Sequence, residues 1–381
     1  MTARPANLRL HLSVLAVLIG WVLLTWPGLL ISPVMAESAN PQISDLHEPR
    51  PAARLPRATQ SILLGLTQTD SGFVAVGERG HVLLSSDGRA WRQADFVPVQ
   101  ATLTSVAAVG DRLWAVGHDT TIIYSRDGGQ TWALQYFDPD LEMPLLGVHF
   151  FDRHNGLAIG AYGIYLVTED GGVHWAQYDL ADRVTSEAID WEAAAELIDD
   201  FMDEGFDDFI DDDWFDEEFD AELDFDRGCY EFMECHLNAF LDLGDGRFMI
   251  AAERGYGFRS VDSGENWESF RFTYPGSMFG LIEVGDSIIA YGLRGHVQRS
   301  TDFGDSWEVL DSPVESSLLG ATTDPDGRVL IVGASAARLT YDPATGRLSA
   351  TEDRLGSAYS GVLVTADGRR ILIGEEGAKH E

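Results

Sequence analysis

The sequence predicts an all-β fold, a seven-bladed β-propeller of four-stranded antiparallel blades, and three observations predict it. A turn motif, Ser/Thr-x-Asp-x-Gly-x-x-Trp, recurs at intervals of about 40 residues. Eight positions before each copy, an apolar stretch ends on a small residue: Gly77, Gly117, Gly160, Ala252 and Gly292. Between these marks the chain breaks into short alternating or β-branched runs bounded by Gly and Asp, a pattern that suits strands and not helices. The 39 glycines and 45% hydrophobic residues among 381 agree with a globular chain rich in tight turns.

Taken from the N-terminus, Arg4 and Arg9 precede an uncharged apolar stretch, Leu12 to Trp26, broken by Pro27-Gly28 and followed by Val34-Met35-Ala36. This is the pattern of a signal peptide over residues 1–36, which would carry the chain across an inner membrane into the periplasm. An uncleaved membrane anchor is the alternative, since the apolar stretch is nearly long enough to span a bilayer. Residues 37–57 are expected to supply a missing outer strand of the last blade, and residues 58–381 the propeller itself.

The repeats begin near Ile62, Leu103, Leu145, Leu237, Met278, Leu318 and Tyr359. Their turn aspartates are Asp87 (in a copy one residue short), Asp127, Asp170, Asp262 and Asp302, and the tryptophans that follow are Trp91, Trp132, Trp175, Trp267 and Trp307. An Asp in a turn accepts hydrogen bonds from its own backbone, the Gly takes a conformation closed to other residues, and the Trp begins the next strand with a large ring to bury. These residues are read as a hairpin device between strands three and four, not as catalytic groups. The sixth repeat has a decayed turn, Thr340 to Gly346, without Trp, and the seventh has room for only two or three strands. Closing the ring would leave no long exposed strand edge.

The turn motif is that of the Asp-box, or BNR-like, repeat of sialidases. Its combination with a Gly-x-x-Gly turn, as in Gly160-Ala-Tyr-Gly163 followed by Thr168 to Trp175 and preceded by Asp152-Arg-His-Asn-Gly156, resembles the photosystem II stability and assembly factor family. The resemblance covers roughly residues 58–377 apart from one insertion. It implies a seven-bladed propeller that acts as an assembly chaperone in photosynthetic organisms. Relatives in other bacteria accompany exported partners of resistance-nodulation-division (RND) transporters. The expected function is therefore a non-catalytic, exported protein-interaction scaffold, an accessory of a membrane protein complex, with no cofactor and no metal. The alternative is a carbohydrate-binding or sialidase-like glycoside hydrolase propeller. Against it, no Tyr/Glu pair with three arginines can be placed, and no serine sits in a Gly-x-Ser-x-Gly elbow. A net charge of −36 argues against nucleic acid as a partner.

Two features point to a partner surface. The turns between strands two and three carry Arg79, Arg254 and Arg294, with Tyr162 at the same place in the third repeat. On one face of a ring they would bind carboxylates, or else each would pair locally within its blade. Between blades three and four lies an acidic, partly helical insertion, residues 180–235, in which 20 of the 40 residues from Glu187 to Asp226 are Asp or Glu and none is Lys or Arg. Apolar residues recur there at helical spacing, and Trp191, Phe206, Trp214 and Phe215 are candidate contacts for a partner or for the propeller's own face. The insertion is expected to leave and return on the arginine-bearing face. No calcium loop is present, since Asp211-Asp-Asp213 runs into Trp214. Cys229 and Cys235 form a disulfide in an oxidising compartment or remain two free thiols.

Overall fold

In the computed structural model, seven sheets follow one another along the chain as the repeats require. Residues 42–43, 48–185, 235–351 and 356–381 are described by the structure, all within the compact unit Ala39–Glu381. The signal peptide, Cys229, Trp191, Phe206, Trp214 and Phe215 fall outside the described residues. Inner strands begin at Leu63, Leu103, Leu145, Leu237, Met278, Leu318 and Tyr359. Consecutive inner strands contact one another around the ring, and the seventh meets the first. Blade five shows the order within a blade: Met278–Val284, Ser287–Gly292, Val297–Ser300 and Glu308–Leu310, each antiparallel to the next.

Every inner strand is irregular at the same point. The register shifts between its first and third residues in all seven blades, which leaves the second residue outside the ladder as a β-bulge. Three of these second residues use their side chains to reach the next blade. Thr104 Oγ1 donates to Leu145 O (2.6 Å), Asn238 Nδ2 to Met278 O (3.0 Å) and Ser360 Oγ to Leu63 O (2.6 Å). The third residue is small throughout: Gly65, Ser105, Gly147, Ala239, Gly280, Gly320 and Gly361. A Cβ on Gly320 would stand 2.6 Å from Ser360 O and 2.8 Å from Gly361 Cα in the neighbouring blade.

Between blades, the motif tryptophans close the gaps. Trp132 of blade two shares a buried cluster with Val74, Val76 and Leu84 of blade one, and Trp175 of blade three with Trp114 and Val116 of blade two. Trp267 lies with Leu157 and Ile159 of blade three, and Trp307 with Met249 and Ala251 of blade four. Each ring removes roughly 200 Å² from water, at most about 5 kcal/mol of apolar burial.

The N-terminal segment corrects one expectation. The described part of residues 37–57 does not complete the last blade, whose sheet holds the strands Tyr359–Val364, Arg370–Gly374 and Gly377–His380. Gln42–Ile43 lie parallel to the outer strand of blade two, Ala133–Phe137. Residues 51–55 are then held along the link from blade one to blade two. Ala52 N–H donates to Val97 O (3.0 Å), Gln93 Nε2 to Ala53 O (2.8 Å) and Gln100 Nε2 to Pro51 O (3.0 Å). These bonds satisfy polar groups of the first two blades, and the chain then meets the seventh at Ala58–Gln60 as a helical turn packed against Gly377–His380 rather than as a strand.

The convergence of inner strands yields a stability prediction. Gly320→Ala should cost about 1–3 kcal/mol by overpacking against backbone. Gly147→Ala should cost less, because its added Cβ meets only the movable side chain of Ile159 at 3.2 Å. Urea unfolding of the two variants beside the parent measures the contrast.

Candidate functional site

The turns between strands two and three are built alike in most blades. After Gly77, Gly117, Gly160, Ala252, Gly292 or Gly333 the chain makes one tight turn, and its second residue takes a left-handed conformation: Arg79 (φ 56°), Asp119 (57°), Tyr162 (52°), Arg254 (55°), Arg294 (55°) and Ser335 (54°). A side chain in that region costs roughly 1–2 kcal/mol. The turn accepts the strain because the following residue is pressed onto the link to the next blade. A Cβ on Gly80 would meet Val99 O at 2.0 Å, and one on Gly295 would meet Val314 O at 2.0 Å. Gly163 N–H likewise donates to Cys235 O (2.9 Å), where the chain returns to enter blade four.

That geometry turns the second side chain outward. Arg79, Arg254, Arg294 and Tyr162 are all exposed, Tyr162 at 53%. The three guanidinium groups make no hydrogen bond or ion pair with the described residues, so the local-pairing reading does not describe them. In blades one, four and seven an acidic residue of the turn does structural work. Glu78 accepts from Ile62 N–H (3.4 Å), Glu253 from His236 N–H (3.2 Å) and Glu375 from Ala358 N–H (3.0 Å). In each case the donor is the residue just before an inner strand. Recurrence of Glu directly after Gly77, Ala252 and Gly374 was the available sequence signal for this role.

Tyr162, Arg254 and Arg294 sit on the consecutive blades three, four and five, whereas Arg79 stands apart on blade one. Aromatic side chains thicken the three-blade arc. Tyr162 meets the His236 ring edge-on at 5.0 Å, and Tyr274 stacks on His296 at 3.5 Å. The Arg271 guanidinium lies 3.6 Å over the Tyr256 ring and donates to Arg254 O (2.9 Å). Burial, and then the charge of Arg294, hold His296 below the usual histidine range. His81, fully buried, is also lowered by burial, with Glu78 opposing and Arg79 adding to the effect. Aromatic rings beside free guanidiniums suit an anionic, partly aromatic ligand, since planar guanidinium forks take carboxylates bidentately.

The insertion is anchored at two different places. Its return, Cys235, lies at the turn face beside Gly163 and is disulfide-bonded; the one other cysteine of the sequence is Cys229. Its departure begins there too, since Asp179 pairs with Ile164 just after Gly163, but the chain then runs to the outer edge of blade four. Leu180 is buried with Cys235 and Trp267, Arg183 Nη1 donates to Gly264 O (3.0 Å), and Val184–Thr185 run parallel to Trp267–Glu268 on the outer edge of blade four.

At the opposite ends of the blades, the Asp-box turns repeat one hydrogen-bond pattern. In blade five, Ser300 Oγ donates to Asp302 Oδ1 (2.8 Å) and accepts from Gly304 N–H (2.8 Å). Asp302 also accepts from Ser306 N–H (3.0 Å) and Ser306 Oγ (2.5 Å). Asp127, Asp170 and Asp262 use Thr131, His174 and Asn266 in the same way. Bonds from Ser306 and Ser300 hold the Asp302 carboxyl down at about 2. In Asp127 and Asp170 burial pushes upward, but the converging donors outweigh it and the carboxyls are lowered.

Comparison with known proteins places this geometry. The BNR/Asp-box repeat family matches residues 123–134, which span the blade-two turn. A solved structure of YCF48 bound to a D1 peptide superposes with a TM-score of 0.60 at 17% identity, covering 91% of this chain and 98% of that one. YCF48 from Cyanidioschyzon merolae gives a TM-score of 0.60 at 17% identity, over 85% and 95% of the two chains. The WD40 propeller domain of Doa1 follows at 0.55 and 15%, over 84% and 92%. No curated protein matches the sequence. Repeat type and fold agree with the resemblance read from the motifs.

The Asp-box yields a pH prediction. Because the folded value of Asp302 is depressed from 3.8 to about 2, its stabilisation is complete above the ordinary aspartate value and fades as pH falls through the folded one. Asp302→Asn should therefore lower the melting temperature at neutral pH, and the gap from the parent should close toward pH 2. Ser300→Ala leaves the buried Gly304 N–H without its acceptor and should cost about 1–2 kcal/mol at neutral pH. Thermal melts across pH, with urea unfolding at pH 7, measure both.

Proposed function

We propose that this chain is a non-catalytic, exported interaction scaffold that holds an acidic segment of a membrane-associated protein on its arginine-bearing turn face. One observation carries the reading: Arg79, Arg254 and Arg294 occupy equivalent strained turns and stand in solvent, and beside Arg79 and Arg254 the structural bonding is made by Glu78 and Glu253. A strained residue with no structural partner is a mark of a surface kept for binding. The solved YCF48 structure contains a D1 peptide, which supports a protein segment as the ligand class. The N-terminal apolar stretch supports export, and with it a role as accessory to a membrane complex such as an RND-type transporter.

The test is a triple variant, Arg79→Glu with Arg254→Glu and Arg294→Glu. Its fold should be unchanged by circular dichroism, because the three side chains have no partner among the described residues. Cross-linking to detergent-solubilised membranes should recover one stoichiometric membrane protein with the parent and at least tenfold less with the variant. Equal recovery would remove the face from the proposal. Saturable glycan-array binding without a protein partner would favour the carbohydrate-binding alternative.

A further inference from the structure

The seventh blade presents an open strand edge. Among the described residues nothing pairs with the outer side of Gly377–His380, where each of the other six blades has a fourth antiparallel strand. Such an edge offers a row of backbone donors and acceptors to any extended chain. Other edges of this ring already take up extended segments, Gln42–Ile43 on blade two and Val184–Thr185 on blade four.

The ring also specifies what fits. In blades two to five the fourth strand starts at, or directly after, a tryptophan buried with the preceding blade. At the junction of blades six and seven the buried cluster is Val332, Ala336, Tyr359, Val362 and Leu372, with no ring from a fourth strand. Charge completes the description. The nearby acids Glu376 and Glu381 are paired with Lys379 and Arg338, while Arg370, whose backbone pairs with Glu381, has no ion pair with the described residues.

We propose that the open edge of Gly377–His380 binds an acidic, extended segment of a partner protein as an antiparallel fourth strand with an aromatic residue at its start. A suitable probe is a peptide copying residues 302–311, the turn and fourth strand of blade five, Asp-Phe-Gly-Asp-Ser-Trp-Glu-Val-Leu-Asp. Labelled with fluorescein, it should bind the full chain saturably in anisotropy. Hydrogen exchange should slow at the amides of residues 377–380 on binding. Trp307→Ala within the peptide, or Arg370→Glu in the protein, should weaken binding at least tenfold, and the triple variant of the turn face should bind as the parent does. No binding, or binding without protection of those amides, overturns the proposal. Slow exchange at those amides before peptide is added also overturns it, because another part of the chain would then cover the edge.

Discussion

Seven strands can meet around one axis only if each gives up bulk where its neighbours press closest. Here the third residue of every inner strand is small, Gly in five blades and Ser105 and Ala239 in the other two. At Gly320 and Gly65 the added carbon would meet backbone of the next blade, which no rotamer change can relieve. The bulge beside this residue is part of the same solution. It removes the second residue from its own ladder, and Thr104, Asn238 and Ser360 use that freedom to bond across the gap. The tryptophans, farther out where the blades diverge, fill the space that opens with radius. Small residues at the axis and large rings outside are two consequences of one wedge geometry.

The turn face follows from the same packing. In blades one, three, four and five the third residue of the turn between strands two and three is glycine, and at Gly80, Gly255 and Gly295 a side chain would meet backbone of the link to the next blade; blades two and six hold Thr120 and Ala336 there, also left-handed. The residue before it is forced into the left-handed region and outward. In blades one, four and seven its neighbour on the other side is a Glu, which accepts the backbone N–H just before an inner strand. Gly77-Glu-Arg-Gly80 and Ala252-Glu-Arg-Gly255 thus divide into a carboxylate used by the fold and a guanidinium left for solvent or a ligand. Arginine has no intrinsic preference for this backbone conformation, so its appearance in three blades requires a reason outside the turn.

Much of this was legible in the chain because local and global signals agree. The spacing of Ser/Thr, Asp, Gly and Trp set the number of blades, and six of the seven inner strands begin at the expected residue, the first one place later at Leu63. Arg79, Arg254 and Arg294 could be aligned because a small residue marks each turn. Two things were not legible. The pairing of Gln42–Ile43 with blade two depends on which outer edge lies within reach, and a two-residue strand carries no periodicity to reveal its partner. The path taken by the departing end of the insertion was not legible for a related reason. Strand order says where a connection starts, but the burial of Leu180 and the bond from Arg183 to Gly264 O, both long-range, decide where it runs next.

Closure of the ring is where these points meet. A propeller whose last blade lacks a strand is expected to borrow one from the other end of the chain, and here the described residues close without the loan. Gly377 packs against Thr59 O as the other turn glycines pack on their links, and Ser360 repeats the inner-strand bond by donating to Leu63 O. At the opposite face Arg369 donates to Asp87 O, tying blade seven to the Asp-box of blade one. Trp91 packs with Ile373 and Ala378, so the first blade's ring seals the last gap as the other tryptophans seal theirs. All of these contacts lie inward of, or at the ends of, the position a fourth strand would occupy. The outer edge of blade seven is therefore unnecessary for closure, and its backbone groups remain free of any structural duty within the described ring.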